Sequence, residues 1–109
     1  MKRTIAPVEL KKLLGTGNPV TLIDVRRKQD YDGDPEMIPG AVWRDPGQVD
    51  HWSADIDQNR EVIIYCVRGG SVSNAVLDHL HSKNLKARYI EGGITAWKDA
   101  VGLRIQRDG

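Results

Sequence analysis

The sequence predicts an α/β domain whose mostly parallel sheet is covered by helices on both faces. Three observations carry this. The runs at 20–25 and 62–65 are short and almost wholly apolar, as strands buried on both sides are. The stretch from Val72 to Leu80 places Val72, Ala75, Val76, His79 and Leu80 on one stripe of helical period. Strand-like and helix-like segments then alternate along the chain, which is the signature of parallel strands joined by helical crossovers.

In order, Ile5 starts or borders a first short strand. Pro7 suits the first position of a helix, where its missing N–H has no role. Leu10, Leu13 and Leu14 form that helix's apolar face, and Gly15 and Gly17 end it. The strand at 20–25 follows. Residues 26–40 are polar, hold Gly33, Pro35, Pro39 and Gly40, and read as a long loop with room for a short helix. A short strand is expected at 41–43 and an ambiguous, helix-compatible stretch at 46–56. After the strand at 62–65 comes the helix starting near Val72, then a strand at 86–90. Glu91, Gly92 and Gly93 turn the chain into a last helix through Ala96 and Trp97.

With 109 residues the chain is expected to form a single domain over 1–109, with a net charge of +1 that excludes a broad nucleic-acid-binding field. No apolar run reaches the ~20 residues that span a bilayer, and the first residues lack the apolar core of a secretory signal. The one cysteine excludes an internal disulfide. These readings favour the cytoplasm, no membrane or nucleic-acid partner, and a monomer.

That cysteine, Cys66, closes the second apolar run and opens a loop through Val67, Arg68, Gly69, Gly70 and Ser71 into the helix near Val72. A strand end, a glycine-rich turn and a helix N-terminus make an anion cradle with a nucleophile at its base. Inward amides and the helix dipole would favour the thiolate. Ser71 is placed to donate a hydroxyl or cap the helix, and Arg68 to hold an anionic substrate. The plainer alternative is a buried strand-end thiol beside an ordinary turn.

Three segments resemble the single-domain rhodanese family of sulfurtransferases. The first runs from Leu22 through Asp24 and Arg26 to Asp30 and Tyr31, then Ile38, Pro39, Gly40 and Ala41. The second is Tyr65 through Gly69. The third runs from Tyr89 to Trp97, with Gly102 and Leu103 behind it. The resemblance covers about residues 5–105. It implies a five-stranded parallel sheet flanked by helices, and a Cys66 thiolate that takes the outer sulfur of thiosulfate or a persulfide and passes it to cyanide or a thiol. It implies no metal and no cofactor. The amides from Val67 to Ser71 would hold the anion, with Arg68 as the substrate-binding cation. The expected partners are a small anionic sulfur donor and a thiol acceptor, such as a thioredoxin-like protein or another sulfur carrier.

Two departures bear on chemistry. Ser71 stands where the family often has Arg or Thr. Loop length separates sulfur from phosphate or arsenate chemistry in this fold: a six-residue loop ends at Ser71, a seven-residue loop at Val72, and the helical stripe fits the longer one. An arsenate reductase or phosphatase using Cys66 is therefore one alternative, although Val72 stands where the cysteine phosphatases need Arg. A persulfide carrier that does not turn over is the other.

Elsewhere, Asp24 and Arg26 read as a structural ion pair more than as catalytic groups. Glu91 with Gly92 and Gly93 is explained by turn geometry. His79 and His81 lie about 200° apart on a helix and cannot share a metal from one face. His79 reads as core or boundary, and His51 has no evident partner. Trp43 and Trp52 are assigned to packing. Arg26, Arg27 and Lys28 form a solvated basic run with the capacity to steer anions.

Overall fold

Residues 61–65 are buried at every position after Glu61 and form the central strand of the sheet. The computed structural model describes residues 2–68 and 70–102. Among them, β1 (Thr4–Ile5), β2 (Val20–Asp24), β3 (Val42–Trp43), β4 (Glu61–Tyr65) and β5 (Ala87–Ile90) pair in the order β1-β5-β4-β2-β3. Every pairing is parallel, so the sheet is wholly parallel. The helices are α1 (Pro7–Gly15), α2 (Lys28–Gly33), α3 (Val49–Trp52), α4 (Ser71–Ser82) and α5 (Gly93–Ala100). No helix among the described residues is long and apolar enough to cross a membrane.

Side chains alternate across the sheet with a period of two, and each face has its own core. Leu22, Ile63, Tyr65 and Ile90 face Leu10 of α1 and Ile94 and Trp97 of α5. Ile23, Val62, Ile64 and Ala87 face Val76, Leu77 and Leu80 of α4, with Val49 and Trp52 of α3 at the border. Each fully buried Ile or Leu here contributes about 1.5–3 kcal/mol. The same alternation carries Cys66 onto the α4 side.

Helix ends follow local chemistry. Pro7 is the first residue of α1, and the Glu9 carboxylate accepts the Ala6 N–H at 3.1 Å. The Thr16 hydroxyl donates to the Leu13 carbonyl at 2.7 Å where the helix stops. The polar stretch at 26–40 does contain a short helix, α2. The 46–56 stretch is a chain of three short turns: 3₁₀ turns at Pro46–Gln48 and Ser53–Asp55 flank α3. The Asp45 carboxylate fixes the first by accepting the Gly47 N–H at 2.8 Å. Gly69, Leu103 and the residues after it lie outside the described residues.

Candidate active site around Cys66

The chain leaves β2 toward β3 on one side of the sheet and leaves β4 toward β5 on the other. A crevice opens between the carboxyl ends of strands whose connections diverge in this way, and it is the usual ligand position in parallel α/β sheets. Cys66 follows β4 and Arg26 and Arg27 follow β2, so the thiol and the basic run meet at that crevice. The Val25 N–H donates to the Tyr65 carbonyl at 2.8 Å and carries the pairing up to the edge.

On its other flank β4 neighbours β5, which delivers the start of α5 to the Cys66 loop. The Ile94 N–H donates to the Cys66 carbonyl at 2.9 Å, and the Thr95 N–H to the Val67 carbonyl at 3.1 Å. In a planar trans peptide the C=O and the following N–H point opposite ways. Pinning these two carbonyls to α5 therefore turns the Val67 and Arg68 amides away from it. Gly93 makes the contact possible. It has φ +63°, and a Cβ there would lie 2.5 Å from both the Cys66 and the Val67 carbonyl oxygens. Any other residue would meet backbone.

A cavity of ≈ 290 Å³ lies over the loop, lined by Cys66, Val67, Arg68, Gly70, Ser71 and Val72, with Arg26, Arg27 and Asp30 across from them. Cys66 is 6% exposed at its base. Val67 is half-buried, while Arg68, Gly70 and Ser71 are exposed. Helix α4 opens at Ser71 with Gly70 as its N-cap, so Ser71 is the first helical residue and not the cap. Counted from Cys66, the loop reaches the helix at its sixth residue, one earlier than the apolar stripe suggests. Val72 lies in the first turn and lines the cavity from there. Of the expected site residues, only Gly69 is outside the described set.

Asn74 holds the loop at its helical end. Its backbone N–H and its Nδ2 both donate to the Gly70 carbonyl at 3.2 Å, and its Oδ1 accepts from Arg3 at 2.9 Å. Sequence reasoning did not single out Asn74 or the Gly93 contact, and it held Asp30 only as part of the first segment of resemblance. The turn at 91–93 was visible, but its destination depends on strand order.

Asp24 and Arg26 form the ion pair expected of them. They are 0% and 2% exposed, with Arg26 Nη2 at 2.7 Å from Asp24 Oδ2. Arg26 also donates to the carbonyls of Asp34 at 2.7 Å and Glu36 at 3.1 Å, which ties the 34–38 segment to the sheet. Burial disfavours the guanidinium charge, but the hydrogen bond and charge of Asp24 outweigh it and raise the Arg26 pKa. Arg26 lies 5.5 Å from the Tyr31 ring centroid, and that ring stacks on Trp43. The Trp43 N–H donates to the Arg26 carbonyl at 2.9 Å and the Trp52 N–H to the Asp45 carbonyl at 2.8 Å, so both tryptophans brace the structure. With Arg26 committed, the cations facing the cavity without an ion pair among the described residues are Arg27 and Arg68.

The site thus brings together a buried cysteine at the end of a central parallel strand and cations around the short loop that follows it. Residues 6–100 match the family described as rhodanese-like domain, and the chain belongs to that family. It is 30% identical over 96 residues to YtwF of Bacillus subtilis, covering 88% of this chain and 90% of that protein. It is 30% identical over 80 residues to the thiosulfate sulfurtransferase GlpE of Coxiella burnetii, covering 72% of each. Among solved structures, a rhodanese-like domain protein from Staphylococcus aureus superposes with a TM-score of 0.78 at 28% identity, covering 92% of this chain and 95% of that one.

Proposed function

We propose that the protein is a sulfurtransferase that carries sulfane sulfur on Cys66. The observation that supports this most directly is the position of the thiol at the base of a cation-rimmed cavity, under a loop whose carbonyls are held away by α5. The relative GlpE is a thiosulfate sulfurtransferase, which is consistent with it.

In the first half-reaction the Cys66 thiolate attacks the outer sulfur of thiosulfate. A Cys66–S bond forms, the S–S bond of the donor breaks, and sulfite leaves with the electron pair. Arg68 and Arg27 offset the charge of the incoming dianion. The loop amides and the α4 N-terminus then face the terminal sulfur of the persulfide. In the second half-reaction cyanide or a thiolate attacks that sulfur and Cys66 leaves as the thiolate, so no net redox change occurs. Cys66 is the sole cysteine, so the acceptor is external. The six-residue approach to α4 favours this sulfur chemistry over the phosphate or arsenate alternative.

The test is intact mass after incubation with thiosulfate, followed by cyanide. Wild type is expected to gain one sulfur and release it as thiocyanate, and Cys66→Ser to do neither. A wild-type protein that gains no sulfur from thiosulfate or from an organic persulfide overturns the reading.

A further inference from the structure

Beside the Cys66 cavity lies a larger one, ≈ 600 Å³, between α4 and the residues at 45–49. The two share Arg27, Ser71 and Val72, so they meet at the mouth of the active-site loop. From there the groove follows α4 for two turns, roughly 12 Å, to His79. The His79 imidazole lies 2.9 Å from the Asp50 carboxylate. The walls are mainly apolar, from Pro46, Val49, Ala75 and Val76. The cations Arg27 and Lys28 line the groove as well, as does Asp45, whose carboxylate accepts the Gly47 N–H at 2.8 Å.

Thiosulfate makes no use of such a space. It is small and fully charged, and the Cys66 cavity alone accommodates it. A groove of this volume matches sites for small organic molecules, roughly 300–1,000 Å³. Its apolar wall suits a carbon chain and its cations suit a carboxylate. Arg27 has no ion pair among the described residues, and the Lys28–Asp32 pair is exposed and easily exchanged.

We propose that this groove seats the body of a carboxylate-bearing organic persulfide or thiol, held by Arg27 and Lys28, with its sulfur presented to Cys66. The inference rests on the sulfur-transfer reading above and specifies its substrate class. The Cys66 thiolate attacks the terminal sulfur of R–S–SH, the S–S bond of the donor breaks, and R–S⁻ leaves with the electron pair while the Cys66 persulfide forms. In the reverse sense R–S⁻ is the acceptor.

The probe is glutathione persulfide, compared with thiosulfate by the ratio of their kcat/KM values for loading sulfur onto Cys66. Ala75 is exposed on α4 and lines only the larger groove, so Ala75→Trp fills it without entering the core. The ratio is expected to fall about tenfold or more, equivalent to ~1.4 kcal/mol. Lys28→Glu, at an exposed position on the groove's edge, is expected to lower it in the same direction. A ratio within about twofold of wild type in both variants overturns the groove assignment while leaving sulfur transfer intact. That includes the case where these variants lose only sulfur exchange with a persulfidated protein, which would give the groove to a protein partner. Failure of wild type to load sulfur from either donor removes the underlying reading and this one with it.

Discussion

Ile94 donates its backbone N–H to the Cys66 carbonyl at 2.9 Å, so the first turn of α5 fixes the peptide that begins the Cys66 loop. Gly93 lies one residue earlier at φ +63°, in van der Waals range of that peptide. Gly93→Ala is expected to cost about 1–2 kcal/mol for the left-handed backbone alone, and about 1–3 kcal/mol more for the clash. Below its lowered Tm the variant should still show slower sulfur loading, because the loop must shift to admit the methyl group. Wild-type stability and loading rate in Gly93→Ala would show that the contact does not constrain the loop.

Tyr65 predicts an alkaline effect. Burial, followed by the nearby Asp24 charge, pushes its phenol well above the ordinary value of 10.0. The folded protein thus keeps a proton that the unfolded chain releases. This contribution is fully present below pH 10.0 and is lost as pH rises beyond it. Tyr65→Phe removes this group and leaves the Ile38 N–H, which donates to the Tyr65 hydroxyl at 3.2 Å, without its partner. The variant should lose about 1–3 kcal/mol at neutral pH. Denaturant titrations across the alkaline range should show the gap between wild type and variant narrowing as pH rises; a constant gap contradicts the assignment.

Asp24→Ala strands the Arg26 guanidinium in the interior. Breaking one side of a buried pair costs about 3–5 kcal/mol. The loss should exceed that of the double variant Asp24→Ala/Arg26→Met, which removes both charges. Urea unfolding of the three proteins measures this. Equal losses would mean that water reaches Arg26.

Arg68 is exposed at the rim, so its contribution is screened. Arg68→Ala is expected to raise the KM for thiosulfate about two- to tenfold with a smaller change in kcat. The effect should shrink with added salt. Steady-state thiocyanate production at two ionic strengths reads both quantities.

The strands were legible where burial leaves a local mark. Residues 20–25 and 62–65 are apolar because both faces of the sheet are covered. Cys66 stood out because a strand, a glycine-rich turn and a helix start are adjacent in sequence. The Gly93 contact was not legible, since it depends on β5 lying beside β4, and strand order leaves no periodic trace in either segment. The start of α4 stayed open between Ser71 and Val72 for a related reason: an apolar stripe marks the face that packs, whereas the first helical residue, Ser71, is exposed. The 46–56 stretch stayed ambiguous because its turns are too short to establish any period.

The edge position of β1 has a consequence for how the protein is made. The Thr4 hydroxyl donates to the Glu91 carboxylate across 87 positions of chain, and among the described residues β1 pairs only with β5. On a ribosome β1 is made well before its partner β5, whereas β2 and β4, which lie between them in sequence, can already pair with each other. Pairing of β1 therefore waits on the same strand that delivers α5 to Cys66.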